Sequence, residues 1–313
     1  MDMIRGFKKT IVAVGLLAVL LGLSACHQSS SSRKAGLVIK TSFYPVYAMT
    51  KEICGDLNDV QVIAQNTSIH SYEPSPTVVA KVYDGDVFIY HSKILEAWAA
   101  DLAPQLEKKG LAVMEGTSHL TLDKVQGLEH FTIKKGMNTD ALYDPHTWTD
   151  PILASQEAEQ IAALLSQKDP AHKAVYLQNA KRFKAKAQKL VKTYKEKFES
   201  LGRKTFVTQH TAFSYLAKRF GLKQLGIAGI SPEQEPSPRQ LARIDRFIKK
   251  YDVKTIFVEE NASDKLAKTL AQSNGVAIDI LSPLEVVPAD QKTYLEHLKM
   301  NLETLYRVLE SET

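Results

Sequence analysis

Three histidines stand in loops whose neighbours suit ligand chemistry. His70 lies in Asn66-Thr-Ser-Ile-His-Ser-Tyr-Glu-Pro-Ser-Pro76, after an apolar strand and before a helix whose first turn carries proline. His146 lies in Asp144-Pro-His-Thr-Trp-Thr-Asp-Pro151, again directly before a helix. His210 lies in Val207-Thr-Gln-His-Thr-Ala-Phe-Ser-Tyr215, at the C-terminal end of a strand. A lone histidine is ordinarily a surface or core residue, and the chain holds nine. Position is what singles these out: ligands of open α/β sheets gather outside the carboxyl ends of strands. Three imidazoles in three such loops could therefore converge. Glu285, in Leu281-Ser-Pro-Leu-Glu285, also follows a strand. That turn aims it at the same region, although an exposed turn glutamate is the plain alternative.

The elements that must position them alternate. Leu37 to Tyr44, Val60 to Ala64, Asp86 to Tyr90 and Leu111 to Met114 read as short β-branched or apolar strands. Helical segments separate them, at Ser75 to Tyr83 and Leu95 to Leu106. The second half repeats the rhythm with strands at Thr205–Thr208, Lys223 to Ala228, Lys254 to Glu259 and Val276 to Leu281. Its helices fall at 211–220, 237–250, 263–273 and 290–309. Short apolar strands alternating with helices predict parallel sheets, hence an α/β fold of two lobes. Between the halves, Ala180, Phe183, Ala187, Leu190, Tyr194, Phe198 and Leu201 recur every three or four residues without Gly or Pro. That spacing predicts one long helix joining the lobes. Its other face is basic, from Lys181 to Lys197, and reads either as a solvated surface or as a contact for anionic lipid or cell-wall polymer.

A length of 313 residues suffices for two lobes with real cores, and 44% hydrophobic with 24% charged residues excludes a disordered or collagenous chain. The formal charge of +5 falls on 40 basic and 35 acidic residues. Without residues 1–25 the balance is 37 against 34, too even to argue for nucleic acid. Two cysteines cannot build a disulfide framework; Cys54 reads as a small buried hydrophobe. Arg5, Lys8 and Lys9 precede an apolar run from Thr10 to Leu23, then Ser24-Ala25-Cys26. A basic start, a short apolar run and small residues describe a secretory signal over 1–25. The run falls short of the roughly 20 residues that cross a bilayer comfortably. His27-Gln28, Ser29 to Ser32, Arg33 and Lys34 read as a flexible tether over 26–36. Leu23-Ser24-Ala25-Cys26 resembles the bacterial lipobox, which implies lipidation of Cys26 and a chain held on the extracellular face of the cell membrane by that anchor alone.

Five ordered stretches carry a wider resemblance: His70 to Pro76, Asp144 to Trp148, Thr208 to Phe213, Gly229-Ile-Ser-Pro-Glu-Gln-Glu-Pro236 and Leu281 to Glu285. From about Leu37 onward the chain resembles the metal-binding lipoproteins of bacterial ABC importers, above all the zinc branch and the streptococcal laminin-binding lipoproteins. The resemblance implies an N-terminal lobe at 37–168, a rigid linking helix at 169–202 and a C-terminal lobe at 203–313, with the metal site in the cleft. It implies His70, His146, His210 and Glu285 as metal ligands of one transported Zn²⁺ per chain. Three imidazoles and one carboxylate suit tetrahedral zinc, and the third imidazole moves the preference away from manganese. The implied partners are an ABC permease with its ATPase and host laminin, and the implied state is a monomer.

Other residues take lesser expectations. Asp144 and Glu73 could orient imidazoles or cap the helices that follow. Glu233 and Glu235 resemble a family motif that lines the C-lobe rim, which implies a structural place and no ligand role; His91 stands near the site or at the surface, and His172 and His297 face solvent. His119 and His130 belong to a loop from Gly116 to Leu142 with little capacity for accessory metal capture. The competing enzyme reading is a zinc hydrolase with Glu285 as general base. Against it stand the lack of a His-Glu-x-x-His helix and ligands drawn from four distant loops.

Overall fold

The computed structural model describes residues 36–125, 139, 142–260 and 262–312. The signal segment, Cys26, most of the tether and His130 lie outside the described residues. Two four-stranded parallel sheets organise the chain. The first joins β1 (Val38–Thr41), β2 (Asp59–Val62), β3 (Val87–Tyr90) and β4 (Ala112–Glu115) in the order β2-β1-β3-β4. The second joins β5 (Thr205–Thr208), β6 (Lys223–Gly226), β7 (Thr255–Val258) and β8 (Ala277–Ile280) in the order β6-β5-β7-β8. The two orders are the same pattern repeated, so each sheet has its switch point beside its first strand, where α/β sheets bind ligands.

Helices α1 (Tyr44–Cys54), α2 (Pro76–Tyr83), α3 (Ala97–Lys108) and α4 (Pro151–Lys168) belong to the first half. Helix α5 (Lys173–Glu199) follows, then α6 (Ser214–Phe220), α7 (Pro238–Tyr251), α8 (Lys265–Asn274) and α9 (Tyr294–Ser311). Local chemistry starts several of them where the sequence says it should. Ser75 and Asp150 accept from the backbone at Val78 and Ile152, each ahead of a proline in the first turn. Ser237 with Gln240, and Thr293 with Glu296, form capping boxes.

α5 is the predicted long helix. Over 27 residues it buries Tyr176, Ala180, Phe183, Ala187, Tyr194 and Phe198, and at 1.5 Å per residue it runs about 40 Å. Its first half packs in the core of the first lobe with Ile39, Met49 and Trp148, and its last turns in a second core with Phe206, Phe213 and Phe220. The C-terminal helix α9 adds a second bridge. Tyr294, Leu295 and Leu298 pack in the first core, while Leu302, Leu305 and Leu309 pack in the second. No helix among the described residues is long and apolar enough to cross a membrane.

Candidate metal centre

Each of the four predicted residues follows the carboxyl end of a strand, and the structure brings all four together. His70 sits in a short 3₁₀ turn after β2, His146 leads a 3₁₀ turn at Thr147–Thr149 after β4, and His210 lies two residues beyond β5. Glu285 closes the turn beyond β8. One ligand atom from each lies within 4.8 Å of every other. His70 Nε2 is 3.3 Å from both Glu285 Oε1 and His146 Nε2, and His210 Nε2 is 3.4 Å from Glu285 Oε1. His146 Nε2 lies 3.9 Å from the same oxygen. A tetrahedron of zinc bonds of about 2.0–2.1 Å has edges of about 3.3–3.4 Å. Three of the donor pairs already stand at that spacing, and the four atoms converge within 4.8 Å of one another. The site is closed: His146 and His210 are fully buried, and the His70 and Glu285 side chains are each 5% exposed.

Carboxylates behind two imidazoles fix their tautomers. His146 Nδ1 donates to Asp144 Oδ1 at 2.7 Å, and the same oxygen accepts the His146 backbone N–H at 2.9 Å. His210 Nδ1 donates to Glu259 Oε1. In the neutral form of either ring, the proton held on Nδ1 leaves the Nε2 lone pair for a cation. Asp144 thus takes the orienting role expected of it. Glu73 takes neither expected role: it is exposed, and the cap of α2 is Ser75. A glutamate beside the apolar first turn of α2 gains more from water than from burial.

The titration of the site is uneven. Burial drives the His146 imidazole down to about 4 despite Asp144. Burial also pushes His210 down, but the carboxylates of Glu259 and Glu285 outweigh it and lift the imidazole to about 10. Burial would raise the Glu285 carboxyl, yet His210 and His70 hold it well below the usual carboxylate range. Without an ion, the pair His210 and Glu285 is a buried cation facing an anion.

The turn that carries Glu285 is held in shape at some cost. Leu284 is buried and has a positive φ of 60°, a region that bulky residues rarely enter. Trp148 Nε1 donates to Pro283 O at 2.7 Å, and Asn301 clasps Ser282 from both sides, at 2.6 and 3.1 Å. Val287 N reaches across to Gln65 O at 3.2 Å.

His91 is fully buried and is not a fifth donor. Its Nε2 donates to Pro145 O at 2.9 Å while Nδ1 faces Glu157, so it braces the backbone that presents His146. His297, expected to face solvent, is buried against the Tyr44 ring and pairs with Asp290 at 3.0 Å. It lies on the inner stripe of α9, the helix that serves both cores. His172 keeps 38% side-chain exposure and pairs with Asp169, and His119 is exposed. Cys54 is a buried free thiol, as predicted. The functional residue missed in the sequence is Glu259. It stands one position past β7, the strand beside β5, so the rule that picked out the histidines also marks it.

Comparison with known proteins agrees with this geometry. The profile of the family "Zinc-uptake complex component A periplasmic" matches residues 39–308. The high-affinity zinc uptake system protein ZnuA of Bacillus subtilis is 38% identical over 306 residues, covering 94% of each chain. The laminin-binding protein Lmb of Streptococcus agalactiae, described as having adhesin and metal transporting activity, is 56% identical with a TM-score of 0.80, covering 88% of this chain and 99% of that one. A Zn(II)-bound variant of AdcAII from Streptococcus pneumoniae is 54% identical with a TM-score of 0.82, covering 88% and 98%. The family and these relatives are described by zinc uptake and zinc or laminin binding, and the hydrolase alternative finds no support among them. A match over nearly the whole folded chain, around four converging metal-ligand atoms, leads to one conclusion: the chain belongs to the zinc-uptake complex component A family.

Proposed function

We propose that this protein captures one Zn²⁺ between its lobes, with His70, His146, His210 and Glu285 as the four ligands, and hands it to an ABC permease energised by its ATPase. The observation that carries this reading is the convergence of three imidazole nitrogens and one carboxylate oxygen within 4.8 Å of one another, from loops of both sheets. Four protein donors fill the sphere, which favours holding an ion over activating water; catalytic zinc keeps a position open. The chain acts as a monomer, tethered outside the cell membrane through a lipid on Cys26, and the lobes divide at 37–168, 169–202 and 203–313.

Release follows from which core each ligand loop belongs to. The turn to Glu285 begins in the second core at Leu281 but reaches the first at Leu284, beside Glu285, whereas Ala212 and Phe213, beside His210, pack in the second. A small rocking of the second lobe therefore withdraws His210 and leaves Glu285 with the other two imidazoles. Elemental analysis of the purified chain, followed by titration with zinc and manganese in competition, tests the function. One zinc per chain, retained against excess manganese, is expected; no bound metal, or manganese displacing zinc at equal concentration, refutes it.

Laminin binding is a second activity, favoured by the 56% identity to Lmb. Laminin pulldown with and without chelator tests it, and no capture in either arm overturns it.

A further inference from the structure

The outer face of α5 has no role in metal capture. The helix holds nine basic residues against Glu196 and Glu199, a net of +7, more than the +5 of the entire chain. The rest of the protein is thus slightly acidic, and the positive charge is concentrated on one rod. Lys181, Arg182, Lys189, Lys192 and Lys195 are all exposed, and none has an acid within 4.0 Å among the described residues. Lys184, on the flank, is the member that does, pairing with Glu159 at 3.0 Å. Helix stability does not call for this: like charges three and four residues apart oppose it.

Beside this face runs a groove of about 600 Å³ between α5 and α9. Lys186, Lys189, Lys197 and Lys299 rim it together with Glu296 and Glu303, the last paired with Lys299 at 3.2 Å, and Leu190, Tyr194 and Leu295 line it. A rim of net positive charge, with its unpaired lysines on α5, around an apolar lining matches an amphiphile better than a fully hydrated polyanion. The first turns of α5 also lie close to where the fold begins. Leu37 N donates to Asn58 Oδ1 at 2.9 Å, and Asn58 Nδ2 donates to Tyr176 OH at 2.8 Å. Residues 26–36 can span at most about 40 Å from that point to an anchor at Cys26. A membrane surface is therefore the polyanion within reach.

We propose that the outer face of α5 is a docking surface for the anionic headgroups of the membrane to which the chain is tethered. The proposal goes beyond zinc delivery and rests on the lipid anchor only for reach. Lysine side chains gain from an anionic surface without a structured pocket, and the attraction is screened by salt. Docking is thus reversible and leaves the protein free to meet its permease.

The test uses the chain from Cys26 onward, expressed without its leader so that it carries no lipid. Its sedimentation is measured with vesicles of phosphatidylcholine alone and with 30% phosphatidylglycerol. The expected result is at least fivefold more binding to the anionic vesicles, falling severalfold between 50 and 300 mM salt. Replacing Lys181, Arg182, Lys189 and Lys192 by glutamine should remove most of that binding and leave zinc stoichiometry unchanged. A control with Lys81, Lys108, Lys109 and Lys250 replaced by glutamine has the same charge change and should keep it. Equal loss in both variants, no preference for anionic vesicles, or capture by a soluble phosphodiester polymer but not by vesicles overturns the proposal. The anchor is judged apart, by the mass of the chain purified from membranes, so vesicle binding by an unlipidated native chain would refute the anchor and support the surface.

Discussion

His146 and His210 are one residue type in two lobes, both fully buried and each backed by a carboxylate on Nδ1, yet they hold protons in opposite ways. His146 faces another imidazole at 3.3 Å, and burial leaves it neutral down to about pH 4. His210 faces Glu285 at 3.4 Å and Glu259 on its other side, and it stays charged up to about pH 10. The difference is in the number of anions around each ring, since burial is equal. On the proposed ligand set the lobes take different parts: the first presents a ready donor, and the second holds a proton that an incoming cation must displace.

The largest effect that tests this contrast is removal of a donor. His210→Ala should cut zinc affinity by more than about 100-fold with a native far-UV spectrum, beyond what loss of a supporting residue costs. Full metal occupancy with unchanged chelator competition would show that His210 is no ligand. Next come the carboxylates behind the rings. Glu259→Gln and Asp144→Asn should each lower affinity about 10–100-fold, but only the first should change the protons released on binding.

That release is itself measurable. Zinc needs His210 neutral, so below about pH 10 each ion bound should expel about one proton, and affinity should fall about tenfold per unit as pH drops. Near pH 4 His146 begins to take up a proton as well, and the dependence steepens. Calorimetry in buffers of different ionisation enthalpy reads the count; zero protons at pH 7.5 would erase the contrast. The smallest effect is expected from Trp148→Phe, which removes the bond to Pro283 O. Denaturant titration should show a loss of about 1 kcal/mol, with only a modest change in zinc affinity.

Much of this was legible in the chain. Strand positions, the long helix and the donor loops follow from short apolar runs, a three-to-four-residue spacing and the rule that sites form at strand ends. What stayed hidden depends on neighbours far apart in sequence. Glu259 meets His210 only because β7 lies beside β5, a pairing that the periodicity of neither strand encodes. His297 looks like an ordinary polar helix residue until α9 is seen to cross both cores. The clasp of Asn301 and Trp148 on the Glu285 turn is likewise tertiary. Glu73 misled for the converse reason: its local context suits a role that its exposure to solvent denies it.

The central claim concerns what surrounds the ion, and X-ray absorption on the zinc-loaded chain near pH 7.5 addresses it directly. Four donors at about 2.0–2.1 Å, with the imidazole signature of three rings and no change when solvent is exchanged, is the predicted result. A first shell of three protein donors and one exchangeable water would contradict it.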